Sequence, residues 1–257
     1  VTGRVWAPAS ACTSASQAIG LGYDSLRAGV EDVMLCGGAE EVHFTTAAVF
    51  ETVGAVSTRF NDTPHRTPRP FDKSRDGLVV GEGAGIVVLE RLAHARARGA
   101  RIWGEVIGFA TSCDGEHITQ PTAAGMESCM RQAIESAGVS PAEIDYVNAH
   151  ATATDVGDRT EAQATLKVFG DKVPISSTKG YVGHTLGACG AIETIFILGM
   201  MREGFAAPTL NLEQIDPACA GPWHLQEPLV KTIRVAMNNN FAFGGINTSL
   251  ILRAWPG

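Results

Sequence analysis

The 257 residues predict a mixed α/β protein in which helices are sandwiched between sheets. Three observations carry this. Short apolar runs, such as Ile86-Val87-Val88-Leu89 and Ile144-Asp145-Tyr146-Val147-Asn148, have the length and composition of strands. They alternate with helix-length segments closed by glycine, at Gly29, Gly138 and Gly170. Two segments, 14–29 and 185–203, are long apolar helices, and a helix without a polar face must be covered on nearly all sides.

In chain order, 4–10 reads as a strand that delivers Cys12, and 14–29 as a buried helix stopped by Gly29. Asp32 to Leu35 reads as a short buried strand running into Gly37-Gly38-Ala39-Glu40. Residues 44–53 read as a helix with Phe50 on its apolar face, and 54–77 as a loop with three X-Pro steps. Gly81-Glu82-Gly83-Ala84-Gly85 resembles a phosphate loop only in composition, because a strand follows it where a dinucleotide site needs a helix. Close approach of a neighbouring backbone is the better reading. A short arginine-rich helix at 91–99 reads as a solvated face. Next come a strand at 102–110, a polar loop with His117, and an amphipathic helix at 125–138. The strand 144–148 ends at Ala149-His150, and a helix spans 158–169. A strand at 173–176 leads to Lys179 and His184, ahead of the second apolar helix. Strands at 232–238 and 247–253 flank Phe241-Ala242-Phe243-Gly244-Gly245 as an antiparallel pair.

Composition narrows the function. A net charge of −7 argues against a broad nucleic-acid surface. No apolar run reaches the length of a membrane span. Six cysteines without C-x-x-C pairs or zinc spacing read as free thiols of a reducing cytoplasm, and no metal or other cofactor is expected.

Cys12 sits among small residues at a turn that opens an apolar helix. A helix N-terminus favours the thiolate; a small buried core cysteine is the competing reading. His150 and His184 also stand at ends of buried elements in small-residue settings, with Lys179 five residues before the second. Together these groups point to nucleophilic catalysis.

Several ordered motifs resemble the decarboxylating β-ketoacyl-acyl-carrier-protein synthases of the Cys-His-His type, elongating ketosynthases of the thiolase superfamily. They are Ala9-Ser10-Ala11-Cys12-Thr13-Ser14, Arg69-Pro70-Phe71-Asp72, Asn148-Ala149-His150-Ala151-Thr152-Ala153-Thr154, Ser176-Ser177-Thr178-Lys179, Gly183-His184 and Phe241-Ala242-Phe243-Gly244-Gly245. The resemblance runs from Val5 to Leu252 and implies a five-layered α-β-α-β-α sandwich, usually a homodimer. It implies that Cys12 takes an acyl group from an acyl carrier protein, and that His150 and His184 promote loss of CO2 from malonyl carrier protein and stabilise the enolate. The backbone N–H groups of Cys12 and Phe243 would form an oxyanion hole, with Phe243 also gating the acyl pocket. Lys179 and Glu193 would order the histidines, Thr152 and Thr154 would hold the pantetheine, and Phe50 and Phe241 would contact the substrate.

The family carries a long portion before its nucleophile, whereas eleven residues precede Cys12 here, so the sequence is expected to be a piece of a longer protein, incomplete at the N-terminus of the fold. On this reading 1–101 is the remainder of an N-terminal thiolase-like half and 102–257 the C-terminal half. Alanines at 151, 153 and 242 stand where the family more often has smaller or different residues, which matters only where φ is positive. A reading from a different class is a non-catalytic, chain-length-factor-like partner in a ketosynthase heterodimer. Such members lose the nucleophile, and Cys12 is present. Arg59, Arg66 and Arg69 are candidates for docking the acidic carrier protein. Fatty acid elongation and a polyketide or polyene pathway both remain open.

Overall fold

The computed structural model describes residues 2–256. A 3-10 turn at Ala11–Thr13 runs into α1 (Ser14–Arg27), followed by β1 (Val33–Glu40), α2 (Phe44–Thr52), β2 (Gly83–Glu90), α3 (Leu92–Ala97) and β3 (Gly104–Cys113). Then come α4 (Ala123–Ala137), β4 (Tyr146–Asn148), α5 (Asp155–Phe169), β5 (Pro174–Ser176), α6 (Lys179–Val182) and α7 (Cys189–Glu203). The chain closes with β6 (Phe205–Ala206), β7 (Trp223–His224), β8 (Leu229–Val230), β9 (Val235–Ala242) and β10 (Ile246–Ala254).

A six-stranded sheet in the order β3-β10-β9-β4-β5-β7 is the centre of the molecule. β3, β10 and β9 are antiparallel neighbours, and β9, β4, β5 and β7 run parallel. Helices α4 and α5 cover one face of this sheet, through Met126, Met130, Ala162 and Val168. Helices α1 and α7 cover the other, and they in turn carry the antiparallel pair β1-β2 on their far side, through Ala15, Ile19, Ala191 and Cys36. The described layers therefore run α, β, α, β, in the thiolase-like order expected. The central position of α1 and α7 explains their apolar sequences: each packs between two sheets.

Several boundaries differ from expectation, each for a physical reason. Residues 4–10 are not a strand: among the described residues no strand pairs with them, and most are exposed. β1 is longer than Asp32–Leu35 and is not buried on both faces; Leu35 is 59% exposed. The expected helix 185–203 is a 3-10 turn at Leu186–Ala188 followed by α7. α5 begins at Asp155 rather than 158, with Asp155 and Asp158 in the first turn where the helix dipole favours them. No helix among the described residues is long and apolar enough to cross a membrane.

Candidate active site

Small, hydroxylated residues shape the Cys12 turn. Ala11 has φ 50, a left-handed conformation that costs a non-glycine residue about 1–2 kcal/mol. Hydroxyls hold it there: Thr13 Oγ1 donates to the Ser10 carbonyl at 2.7 Å and Ser14 Oγ to the Ala11 carbonyl at 2.8 Å. The Ser10 N–H donates in turn to Ser14 Oγ at 2.9 Å. The serines and threonine around Cys12 thus satisfy a backbone that no regular element could.

His184 arrives from the opposite half. Gly183 has φ 71, and a Cβ there would meet the Val79 carbonyl oxygen at 2.9 Å. The freedom of glycine lets the chain turn against 79–81, where the His184 N–H donates to Val79 O at 2.7 Å and the His184 carbonyl accepts from Gly81 N–H at 2.9 Å. A Cβ at Gly81 would lie 2.2 Å from Val182 O, and one at Gly85 2.9 Å from Ile192 N. The glycine run is therefore a seam for close backbone approach, as expected.

His150 follows the end of β4. The N–H groups of His150 and Ala151 donate to the two oxygens of Glu161 at 2.8 and 2.7 Å. Burial raises this carboxyl to about 8, against those two hydrogen bonds. Asp158 performs a similar task for the next turn, accepting from Ala153 N at 3.0 Å and Phe71 N at 2.7 Å. Ala153 has φ 71, so it is the strained alanine of the three flagged above; Ala242 lies within β9, and neither it nor Ala151 has positive φ. The Arg-Pro-Phe-Asp motif proves to be scaffold. Arg69 is 1% exposed and bonded to Asp72, whose other oxygen accepts from Glu213 and Gln214 N–H. Arg69 is thus withdrawn from any docking surface.

These segments converge on one point. Cys12 Sγ lies 2.9 Å from His184 Nε2, and the His150 ring stands edge-on to His184 with centroids 5.1 Å apart. Burial pushes the Cys12 thiol up to about 11, with Lys179 opposing. The thiolate favoured by a helix N-terminus is therefore not the resting form: desolvation outweighs the dipole. Both histidines are held well below their usual range, by burial first and then by the Lys179 charge. The resting site is a neutral thiol facing a neutral imidazole.

Lys179 and Glu193 form a buried ion pair behind the histidines. Burial alone would lower the lysine; Glu193 beside it raises it, so the ammonium persists. Asn240 ties this pair to the rest of the site: its Nδ2 donates to Glu193 Oε2 at 2.7 Å and lies 3.5 Å from His150 Nδ1, while its Oδ1 accepts from the Ser16 hydroxyl. Metal-ligating atoms of Cys12, His150 and His184 lie within 4.8 Å of one another. By donor type the three could hold zinc, but the Lys179 charge that depresses both histidines opposes a further cation.

A cavity of about 280 Å³ opens onto Cys12 and both histidines. Phe50, Thr152, Thr154, Phe241 and Phe243 also line it, so the structure brings these sequence-predicted residues to one space. The Phe50 and Phe243 rings are 5.9 Å apart, and Thr152 and Thr154 bond through their hydroxyls at 3.1 Å. Sequence reasoning missed Glu161, Asn240, Met126 and the 118–121 segment of the wall. One signal was available: three consecutive asparagines in a strand run against β propensity and mark polar partners inside. A larger apolar groove of about 980 Å³ beside β2 and α7 holds none of the predicted site residues.

Comparisons with known proteins agree with this geometry. Residues 1–95 match the family profile "Beta-ketoacyl synthase, N-terminal domain", and residues 103–213 match "Beta-ketoacyl synthase, C-terminal domain". The 3-oxoacyl-[acyl-carrier-protein] synthase 1 of Haemophilus influenzae is 41% identical over 259 residues, covering all of this chain and 63% of that protein. A crystal structure of a beta-ketoacyl synthase from Burkholderia phymatum superposes with a TM-score of 0.97 at 54% identity, over 99% of this chain and 62% of the other. A ketosynthase solved with its type II polyketide synthase acyl-carrier protein gives a TM-score of 0.91 at 32% identity, over 96% of this chain and 62% of that one. The chain spans about three fifths of the length of the curated relatives it matches. With both halves of the profile in register, a thiolase-like layering and relatives above 40% identity, the chain belongs to the beta-ketoacyl synthase family.

Proposed function

We propose that this chain carries the catalytic centre of a ketosynthase that condenses an acyl group on Cys12 with malonyl-acyl-carrier protein. The observation that carries the reading is the 2.9 Å approach of Cys12 Sγ to His184 Nε2 at the end of a phenylalanine-lined cavity. In the first half-reaction Cys12 Sγ attacks the carbonyl carbon of an acyl thioester as its proton passes to His184 Nε2. The N–H groups of Cys12 and Phe243 would receive the negative oxygen. The carrier thiolate leaves and takes the proton, and the acyl group stays on sulfur.

In the second half-reaction the malonyl thioester binds with its carbonyl oxygen facing His150 and His184. Both are neutral, so each can donate one N–H to the oxygen that becomes negative as CO2 departs, His184 once its ring hydrogen has moved from Nδ1, where the first step leaves it, to Nε2. Asn240 Nδ2 beside His150 Nδ1 favours the tautomer with hydrogen on Nε2, the donor the enolate needs. The enolate carbon attacks the acyl carbonyl, the tetrahedral oxyanion collapses, and Cys12 thiolate departs and is reprotonated. Lys179 and Glu193 keep the electrostatic setting constant through both steps. Thr152 and Thr154 line the cavity wall, and on this reading they hydrogen-bond the pantetheine arm.

The carrier is the partner this reading requires, as in the solved ketosynthase–carrier complex. The proposed assembly is a dimer, the proposed compartment the cytoplasm, and no cofactor beyond the carrier's phosphopantetheine is invoked. The proposed division is an N-terminal half over 1–101 and a C-terminal half over 102–257, which would assign Cys12 to one and the histidines to the other.

Intact-mass analysis after incubation with an acyl-carrier-protein thioester tests the reading. It expects one acyl group, mapped to the Cys12 peptide and absent in Cys12→Ala. A full-length protein that stays unacylated yet supports condensation by a second subunit would instead establish the non-catalytic partner reading.

A further inference from the structure

Beside the proposed nucleophile the structure holds a second thiol that the reaction does not use. Cys189, the first residue of α7, is 1% exposed and donates its S–H to the Cys12 carbonyl at 3.3 Å. The two cysteines share one small apolar cluster with Ala242, and Ile246 packs against it. No other described cysteine approaches Cys12 in this way: Cys36, Cys129 and Cys219 belong to separate clusters, and Cys113 is exposed near the Gly244 carbonyl. Cys189 Sγ also accepts from Asn240 Nδ2 at 3.3 Å, and its burial protects it from bulk reagents. The 280 Å³ cavity, by contrast, gives a small peroxide direct access to Cys12.

We propose that Cys189 is a resolving thiol, and that Cys12 and Cys189 form a reversible disulfide when a hydroperoxide enters the cavity. The inference uses Cys12 as a nucleophile but does not need the condensation reading, since the disulfide forms without acyl substrate. In the first step Cys12 Sγ attacks one peroxide oxygen and the O–O bond breaks. The thiol proton passes through His184 Nε2 to the departing hydroxide, so water leaves and Cys12 becomes a sulfenic acid. Sulfur loses two electrons and the peroxide gains them. In the second step Cys189 Sγ attacks the Cys12 sulfur, the S–O bond breaks, and hydroxide leaves with the Cys189 proton as a second water. A dithiol reductant restores both thiols. Without a resolving partner, a sulfenic acid can proceed to sulfinic acid, which dithiols do not reverse. Pairing with Cys189 intercepts that loss.

Peptide mapping under non-reducing conditions, after treatment of the full-length protein with hydrogen peroxide, tests this. The expected result is a linked pair of peptides containing Cys12 and Cys189, two hydrogens lighter than their sum, that disappears with dithiothreitol. Cys189→Ala keeps the acylation capacity of Cys12 before oxidation. After peroxide it accumulates sulfinic Cys12, and its recovery of acylation by dithiothreitol falls at least tenfold below that of the unsubstituted protein. Trapping with dimedone separates the steps: Cys12 sulfenic acid persists in Cys189→Ala and is short-lived with Cys189 present. Absence of the linked pair, or equal recovery in both proteins, overturns the proposal. Neither outcome bears on the condensation reading, which stands or falls on the unoxidised enzyme.

Discussion

Two sheets of this protein use the same residue types to opposite ends. β9 in the six-stranded sheet is buried at all eight positions, including three asparagines. Its neighbour β10 buries Leu250, Ile251 and Leu252, yet in β1 and β2 the same residue types Leu35, Ile86 and Val88 are 59, 58 and 56% exposed. The register explains it. Val33 and Leu35 pair with Glu90 and Val88 on one face, whereas Met34 and Cys36 pair with Leu89 and Val87 on the other. Only the second face meets α1 and α7. Apolar content thus says that a strand can be buried; neighbours decide whether it is. The site gathers loops around this contrast: Cys12 is on the turn before α1, His150 just beyond β4, and Lys179 and His184 on and just after α6, which follows β5.

The comparison can be broken most severely at the ion pair. Lys179→Met leaves Glu193 buried without its partner and should destabilise the protein by about 3–5 kcal/mol. Urea denaturation reads this out, and a loss below about 1 kcal/mol would mean that the carboxyl finds another partner or a proton at no expense.

Burial is the next lever. Ile251→Ala in the covered sheet should lose about 2–5 kcal/mol, while Leu35→Ser on the open face should fall within about 0.5 kcal/mol of the unsubstituted protein. Equal losses at the two sites would show that the face of Leu35 is covered in solution.

Acidity sharpens the contrast inside the covered half. The Glu161 carboxyl, near 4.5 when unfolded, is held at about 8 by burial. Between those values the folded state binds the extra proton, so this group makes stability fall as pH rises from about 5 to 8, by up to ~1.4 kcal/mol per pH unit. His150 and His184 act in the opposite direction below their unfolded value near 6.5, because unfolding lets them charge. The difference between the unsubstituted protein and Glu161→Gln isolates the carboxyl: the gap in unfolding free energy should close toward pH 8, and a pH-independent gap would contradict the assignment.

The smallest effect concerns the backbone. Ala153→Gly relieves a left-handed alanine at φ 71 and gives up some unfolded-chain restriction, so a net gain of up to about 1 kcal/mol is expected. The same change at Ala242, inside β9, should instead lose about 0.5–1 kcal/mol, and differential calorimetry on the pair distinguishes them.

Much of the fold was legible because its signals are short-ranged. Gly138 closes α4 in a left-handed conformation, and the strands around the Phe241–Gly245 turn pair as their alternation requires. The misread segments are those whose state depends on a distant partner. Residues 4–10 have strand composition but no described strand to pair with, and Asp158 looks like a helix-start residue until Phe71 and Ala153 are seen to donate to it. Arg69 looked available in a proline-rich loop and is closed off by Asp72.

By itself the sequence determined the residue types of the site, the turns that present them and the order of strands and helices, because turn chemistry and periodicity act within a few residues. Only the tertiary structure decided what those residues are chemically. Cys12 and His184 are 172 positions apart and meet because α1 and α7 pack at Gly190, where a Cβ would lie 2.0 Å from Ser16 Oγ. The neutral state of the thiol and both imidazoles follows from desolvation and one buried ammonium. The nearness of Cys189 to the Cys12 carbonyl comes from the packing of α7 against the turn before α1. Desolvation and long-range contact belong to the packed molecule, and no stretch of chain carries them alone.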